Sequence, residues 1–223
     1  MKYILTAAWD DGVADLTERL VRELAGGKRV LWLTSGGSNI PSSVQIMDNI
    51  SSGQSKNLSV SLADERFGEP GHNESNWTKL LQAGFKGKHA TLLPVLEAGL
   101  TFEQTIEKYN QLIEKAFKDN DVIIAQLGVG PDGHVTGILP NSPATTAKTL
   151  VAGYENPPFK RMTLTFPGLR RVTAAYVFAF GKPKQQALVS LRDKALPLKQ
   201  QPAQILNELP EAYMYSDQVG EHV

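Results

Sequence analysis

Six residues, DVIIAQ at positions 121–126, constrain the fold more than any other stretch. Val122, Ile123 and Ile124 form an apolar run too short for a helix. Such a run reads as a strand buried on both faces, the signature of a parallel sheet with helices covering it. The strand runs into LGVGPDGHVTGILP, residues 127–140, where Gly128, Gly130, Asp132, Gly133 and His134 fall within seven positions. In open α/β sheets ligands sit in the crevice beyond the carboxyl ends of the strands. His134 is therefore a candidate proton carrier, because an imidazole titrates close to neutrality and can take and return a proton. Asp132 is placed to accept one ring N–H and fix the tautomer, and the glycines let backbone approach a ligand closely. Standing alone, the same residues also describe a glycine-rich turn carrying a surface histidine.

Read literally, Gly128-x-Gly130-x-x-Gly133 after a strand is also the dinucleotide fingerprint. That reading needs a helix starting at the glycines, with its N-terminus on a pyrophosphate. Pro140 and Pro143 come too soon after them, and Asp132 would set a negative charge against the pyrophosphate.

The pattern recurs along the chain. A strand over residues 3–9 precedes a helix carrying Val13, Leu16, Leu20 and Leu24, stopped by Gly26 and Gly27. VLWLT at 30–34 is a strand that runs into Ser35, Gly36, Gly37 and Ser38, with a helix over 39–50 behind them. Strand, small turn and helix aim backbone N–H groups and a positive helix end at an anion. There is no Gly-Lys-Ser/Thr, so this is not a nucleoside-triphosphate loop. LSVSLA at 58–63 ends in Asp64, Glu65 and Arg66, with Ser75 or Asn76 capping a short helix beyond. Residues 91–96 make a weak strand. Phe102, Ile106, Tyr109, Ile113 and Phe117 form a helical stripe that belongs to the core. Residues 141–159, rich in Pro, Thr, Ala and Asn, read as an irregular crossing or partial lid. Strands over 161–165 and 174–180 come next, then Lys184 at a helix start, a short helix over 204–209 and a closing strand over 212–215. A lysine at a helix N-terminus opposes the dipole unless an anion sits there too.

The length of 223 residues fits one α/β domain spanning 1–223. Lys plus Arg and Asp plus Glu both number 23, so no net charge draws the chain to nucleic acid or an acidic membrane. Cysteine is absent, which removes disulfides, thiolate metal sites and thiol catalysis. Neither a signal peptide nor an apolar run of the ~20 residues that span a bilayer is visible, so the expectation is a cytoplasmic protein. The histidines (His72, His89, His134 and His222) show no H-x-x-x-H spacing, and neither metal nor cofactor is expected.

Taken together, the clusters resemble the 6-phosphogluconolactonases, within the superfamily that includes glucosamine-6-phosphate deaminase/isomerase. The resemblance rests on Ser35-Gly36-Gly37-Ser38, on Asp64-Glu65-Arg66 followed by Ser75-Asn76, and on Gly128-x-Gly130-x-Asp132-Gly133-His134. It extends to Arg161-x-Thr163-Leu164-Thr165 and to Gly181-x-x-Lys184-x-x-Ala187-Leu188, in the family's order. It implies a three-layer, Rossmann-like, mostly parallel sheet with helices on both faces, acting on a small sugar-phosphate lactone. His134 would be the base, Asp132 its orienting carboxylate, Arg66 the stabiliser of carbonyl charge, and Asp64 a holder of hydroxyls or water. The substrate would otherwise contact Ser35, Gly36, Gly37, Ser38, Gly130, Gly133, Arg161 and Lys184, with the phosphate between the small turn, Arg161 and Lys184. The deaminase branch carries a glutamate five residues after the histidine; here that position is Leu139, which favours the lactonase branch over a deaminase. A non-catalytic sugar-phosphate sensor of this superfamily would carry a DNA-binding segment, and no basic recognition helix is visible. Gly137-Ile138-Leu139, Asn39-Ile40-Pro41 and Phe67-Gly68-Glu69 depart from the family pattern and bear on substrate preference.

Overall fold

The computed structural model describes residues 1–221, and His222 lies outside them. In chain order the elements are β1 (Lys2–Leu5), α1 (Asp10–Ala25), β2 (Val30–Thr34), α2 (Ile40–Asn49), β3 (Leu58–Leu62) and β4 (Asp64–Arg66). They continue with α3 (Asn76–Gln82), β5 (Thr91–Leu92), α4 (Phe102–Asp119), β6 (Val122–Leu127), β7 (Val151–Asn156) and β8 (Phe159–Leu164). The chain closes through α5 (Phe166–Leu169), β9 (Ala174–Phe178), α6 (Gln185–Asp193) and β10 (Glu211–Ser216).

Seven strands form one sheet in the order β1-β10-β9-β6-β2-β3-β5, and every pairing in it is parallel. The central strands are buried on both faces, and alternate residues serve separate cores. Leu31, Leu33, Ile123, Ala125 and Leu127 pack with Tyr109 and Ile113 of α4 and Leu188 and Leu191 of α6. Val30, Trp32, Val122 and Ile124 pack with Val13, Leu16 and Leu20 of α1 and Ile46 and Met47 of α2. The expected helix–sheet–helix layering is thus present. α1 has Asp10 and Asp11 in its first turn, facing the positive helix end, and Gly27 beyond it at φ +75°.

The order of strands matters for the site. From β2 the chain moves to β3 on one side; from β6 the next strand of this sheet is β9 on the other. The loops leaving β2 and β6 therefore diverge, and a crevice opens between them.

Several expectations shift. The first strand spans Lys2–Leu5 rather than 3–9, because Thr6 makes the last ladder bond, to Ser216, and Trp9 is already the cap residue of α1. The strand expected at 91–96 shrinks to Thr91–Leu92; Pro94 has no N–H to offer a ladder. The helix expected over 204–209 is a 3-10 segment, Pro202–Glu208. The larger correction concerns residues 141–159, expected to be irregular. Val151–Asn156 is a strand that pairs antiparallel with β8, which pairs antiparallel with β4, giving a separate three-stranded sheet in the order β4-β8-β7. Asp64–Arg66, expected as charges at a strand end, is itself one of the two outer strands of that sheet.

Candidate active site

The crevice at the β2/β6 divergence holds a cavity of about 220 Å³. Ser35, Gly36, Gly37 and Ser38 wall one side, Gly130 and His134 another, and Asp64, Arg66, Arg161 and Lys184 complete it. Residues as distant in the chain as Ser35 and Lys184 are thus brought to one place, by the parallel sheet from below and the small antiparallel sheet from the side.

The loop after β6 is built around its histidine. Gly130 N–H donates to the His134 carbonyl at 3.0 Å, and Gly133 N–H donates to the Gly130 carbonyl at 3.0 Å. His134 Nδ1 lies 2.6 Å from Asp132 Oδ1, which also accepts the His134 backbone N–H at 3.1 Å. With Nδ1–H donated to the carboxylate, Nε2 is left as the lone-pair nitrogen of a neutral ring. His134 lines the cavity and Asp132 does not; the carboxylate stands behind the ring. Burial works to raise the Asp132 pKa, but the hydrogen bond and charge of His134 outweigh it and hold the carboxyl below its ordinary value. A Cβ on Gly130 would fall 2.1 Å from both Cε1 and Nδ1 of His134, so only glycine fits under the ring. Gly133, expected to contact substrate, is instead the turn residue at φ +81°, backed by Gln201 and absent from the cavity wall.

Across the cavity, the turn of residues 35–38 leads through a 3-10 step into α2, where the Ile40 N–H donates to the Gly37 carbonyl and Pro41 sits in the first turn. Gly37 adopts φ +64° with open space where a side chain would point. Ser35 Oγ donates to the Gln126 carbonyl at 2.8 Å, tying the turn to β6. Gln126 is fully buried and bonds Ser42 and Ser43 at 2.9 Å each, so the start of α2 is fastened to the same strand.

Asn76 and Glu65 were not among the expected site residues, although both stand in clusters that carry the family resemblance. Asn76 Nδ2 donates to the Asp64 carbonyl at 2.9 Å and to Asp64 Oδ2 at 3.3 Å, while its Oδ1 accepts from Arg66 Nη1 at 2.6 Å. Its side chain also fills the space a Gly36 Cβ would need, 2.0 Å from Asn76 Oδ1. Asn76 is held in turn by Glu65, which is fully buried and accepts from Ser75 Oγ and from the backbone N–H groups of Arg66, Asn76 and Trp77 at 2.7–3.1 Å. Thr136 also lines the cavity, at φ +52°, an uncommon conformation for a β-branched residue. Its Oγ1 lies 2.8 Å from Thr163 Oγ1. No sequence pattern announces that backbone geometry.

The electrostatics are lopsided. Arg66, Arg161 and Lys184 face the cavity, and among the described residues none forms a salt bridge. Nε of both arginines is buried without a hydrogen-bond partner. Burial pushes the Lys184 ammonium below its ordinary pKa, with the Asp217 charge opposing it. Burial pushes the Asp64 carboxyl up, against the charges of Arg66, Arg161 and His134. Three cations that share one cavity without a salt bridge are suited to meet an anion.

Fold and site together define a class: an α/β enzyme whose crevice gathers three cations and a carboxylate-oriented imidazole in one cavity. A family model for glucosamine-6-phosphate isomerases/6-phosphogluconolactonase matches residues 6–214, and the chain belongs to that family. It is similar to the 6-phosphogluconolactonase of Xylella fastidiosa, 29% identical over 202 residues that cover 84% of this chain and 82% of that protein. It is similar to the 6-phosphogluconolactonase of Caulobacter vibrioides, 27% identical over 203 residues covering 85% of each. The crystal structure of 6-phosphogluconolactonase from Thermotoga maritima shares the fold, with a TM-score of 0.79 at 22% identity over 96% of each chain.

Proposed function

We propose that this chain hydrolyses 6-phosphogluconolactone to 6-phosphogluconate, the lactone-opening step of the pentose phosphate pathway. The observation that carries this is that His134 and three cations without salt bridges line one cavity. His134 Nε2, as the neutral base, takes a proton from water while the water oxygen attacks the lactone carbonyl. The tetrahedral intermediate collapses with cleavage of the bond to the ring oxygen, and the imidazolium returns its proton to that oxygen. Asp132 holds the tautomer and stabilises the imidazolium between the two transfers, the role an orienting carboxylate plays in a hydrolytic triad. Arg66, pinned by Asn76 and the Glu74 carbonyl, faces the charge that builds on the carbonyl oxygen. Asp64 accepts from sugar hydroxyls or positions the water. The phosphate lies against the turn of residues 35–38, Arg161 and Lys184. Leu139, half-buried against the core, stands where the deaminase branch carries a glutamate, so the additional proton transfers of an aminosugar isomerisation lack their acid. The sequence carries no charge imbalance toward nucleic acid, and no helix among the described residues is long and apolar enough to cross a membrane. A cytoplasmic metabolic role fits both.

The test is hydrolysis of 6-phosphogluconolactone and of unphosphorylated gluconolactone at mildly acidic pH, where spontaneous opening is slow. The phosphorylated lactone should be strongly preferred, and His134→Asn should lower kcat by about 10²–10⁴-fold. Ammonia release from glucosamine 6-phosphate, or full activity of His134→Asn, would overturn the assignment.

A further inference from the structure

Arg66 and Arg161 are directly opposite one another in the β4–β8 ladder. Like charges at such positions repel and destabilise the pair. Here each guanidinium carbon lies 5.7 Å from the centroid of the same ring, that of Phe159. Guanidinium over an aromatic face at this distance is an attractive contact. Phe159 is the first residue of β8, beside the Pro157-Pro158 turn, and it does not line the cavity.

The two arginines are not equally held. Arg66 donates Nη1 to the Glu74 carbonyl at 3.1 Å and to Asn76 at 2.6 Å. For the Arg161 guanidinium no hydrogen bond or ion pair exists among the described residues, and its Nε is buried unpartnered. The ring of Phe159 is therefore the close contact that holds the Arg161 guanidinium, with the Asp64 charge acting on it through space. A flexible arginine stem loses rotamer freedom when it binds an anion, and a ring that holds the guanidinium beforehand removes part of that cost.

We propose that Phe159 is a positioning residue for the anion end of the site. Its face orders Arg161 before an anion arrives, while Asn76 and the Glu74 carbonyl hold Arg66 at the carbonyl end, so that a phosphate meets a guanidinium already in place. The proposal rests on the reading that the substrate is a phosphorylated sugar lactone. It predicts selectivity for the phosphate itself, because Arg66 keeps its hydrogen bonds without the ring whereas Arg161 loses its stacking contact.

The experiment compares Phe159→Leu, Phe159→Tyr and the parent chain on phosphorylated and unphosphorylated gluconolactone, with calorimetric binding of 6-phosphogluconate alongside. Phe159→Leu should raise KM for the phosphorylated lactone by about tenfold and weaken 6-phosphogluconate binding similarly. kcat should stay within about twofold, turnover of the unphosphorylated lactone should not change, and Phe159→Tyr should behave as the parent. In an Arg161→Lys background Phe159→Leu should add little, since the stacking cation is already altered. Equal losses on both lactones, or a Phe159→Tyr protein as impaired as Phe159→Leu, would mean the ring only packs the hairpin and would overturn the proposal. Unchanged 6-phosphogluconate binding in Phe159→Leu would overturn it as well. A parent chain that binds 6-phosphogluconate but hydrolyses neither lactone sinks the proposed reaction, while the binding comparison still decides the role of Phe159.

Discussion

Gly130 carries more of the chemistry than its size suggests. The His134 ring and the Asp132 carboxylate fold back over it, and a methyl group there would meet Cε1 and Nδ1 at 2.1 Å and Oδ1 of Asp132 at 2.8 Å. Gly130 is not in the left-handed region, so alanine is compatible with its backbone and only the dyad must move. Gly130→Ala should therefore leave the fold intact, by circular dichroism and melting temperature, while displacing the imidazole by about an ångström and lowering kcat about 10²-fold. Normal turnover in a folded Gly130→Ala protein would mean the ring does not act from its observed position. At this scale the sequence is most readable. Glycines, aspartate and histidine within seven residues after a strand name their own chemistry, because their geometry is local. Asn76 is the opposite case. Its three site contacts, to Gly36, Asp64 and Arg66, exist only after α3 has docked on β4, and nothing in its neighbours states that.

The elements divide along the same line. Buried parallel strands are legible as apolar runs and amphipathic helices by their period, and β8 is expected as a strand over 161–165, whereas β4 and β7, its partners in the β4-β8-β7 sheet, are not. Asp64–Arg66 is three charged or polar residues long, and Val151–Asn156 lies in a Pro- and Thr-rich stretch; pairing, not propensity, makes them strands. That sheet carries Asp64, Arg66 and Arg161, and Glu65 joins it to α3. Each Glu65 oxygen accepts two donors: Oε1 from the N–H groups of Arg66 and Asn76, Oε2 from Ser75 Oγ and Trp77 N–H. Burial raises its pKa, while these donors pull the other way. In Glu65→Gln one end becomes an amide donor facing two N–H or O–H donors at a fully buried position. The expected outcome is a loss of about 2–3 kcal/mol in denaturant unfolding, together with a raised KM as Asn76 and Arg66 lose their anchor. A Glu65→Gln protein as stable as the parent would show that the cap contributes little.

For the whole molecule, strand order decides where the site lies, and order is not written in any one stretch. The sequence shows polar clusters at several strand ends; only the pairing of β2 with both β3 and β6 shows which of them meet. The cost of bringing them together falls on the charged groups. Burial raises Asp64 and lowers Lys184, so each environment disfavours the charged form that function requires, a common property of catalytic clefts. For Asp64 the sign follows from proton linkage. The folded state keeps its proton at pH values where the unfolded chain, with the ordinary value of 3.8, has lost it. Stability from this group therefore falls as pH rises from 3.8 through the raised folded value, and the ionised carboxylate is a net cost above it. Asp64→Asn removes that cost. In phosphate-free buffer the variant should melt above the parent at neutral pH, and the gap should close as pH falls through the folded pKa of Asp64. Activity should be lost throughout, since Asp64 lines the cavity. If instead the parent melts higher at neutral pH and loses its advantage in acid, Asp64 stabilises the fold through Arg66 and Arg161, and the balance between burial and those two cations has the opposite sign.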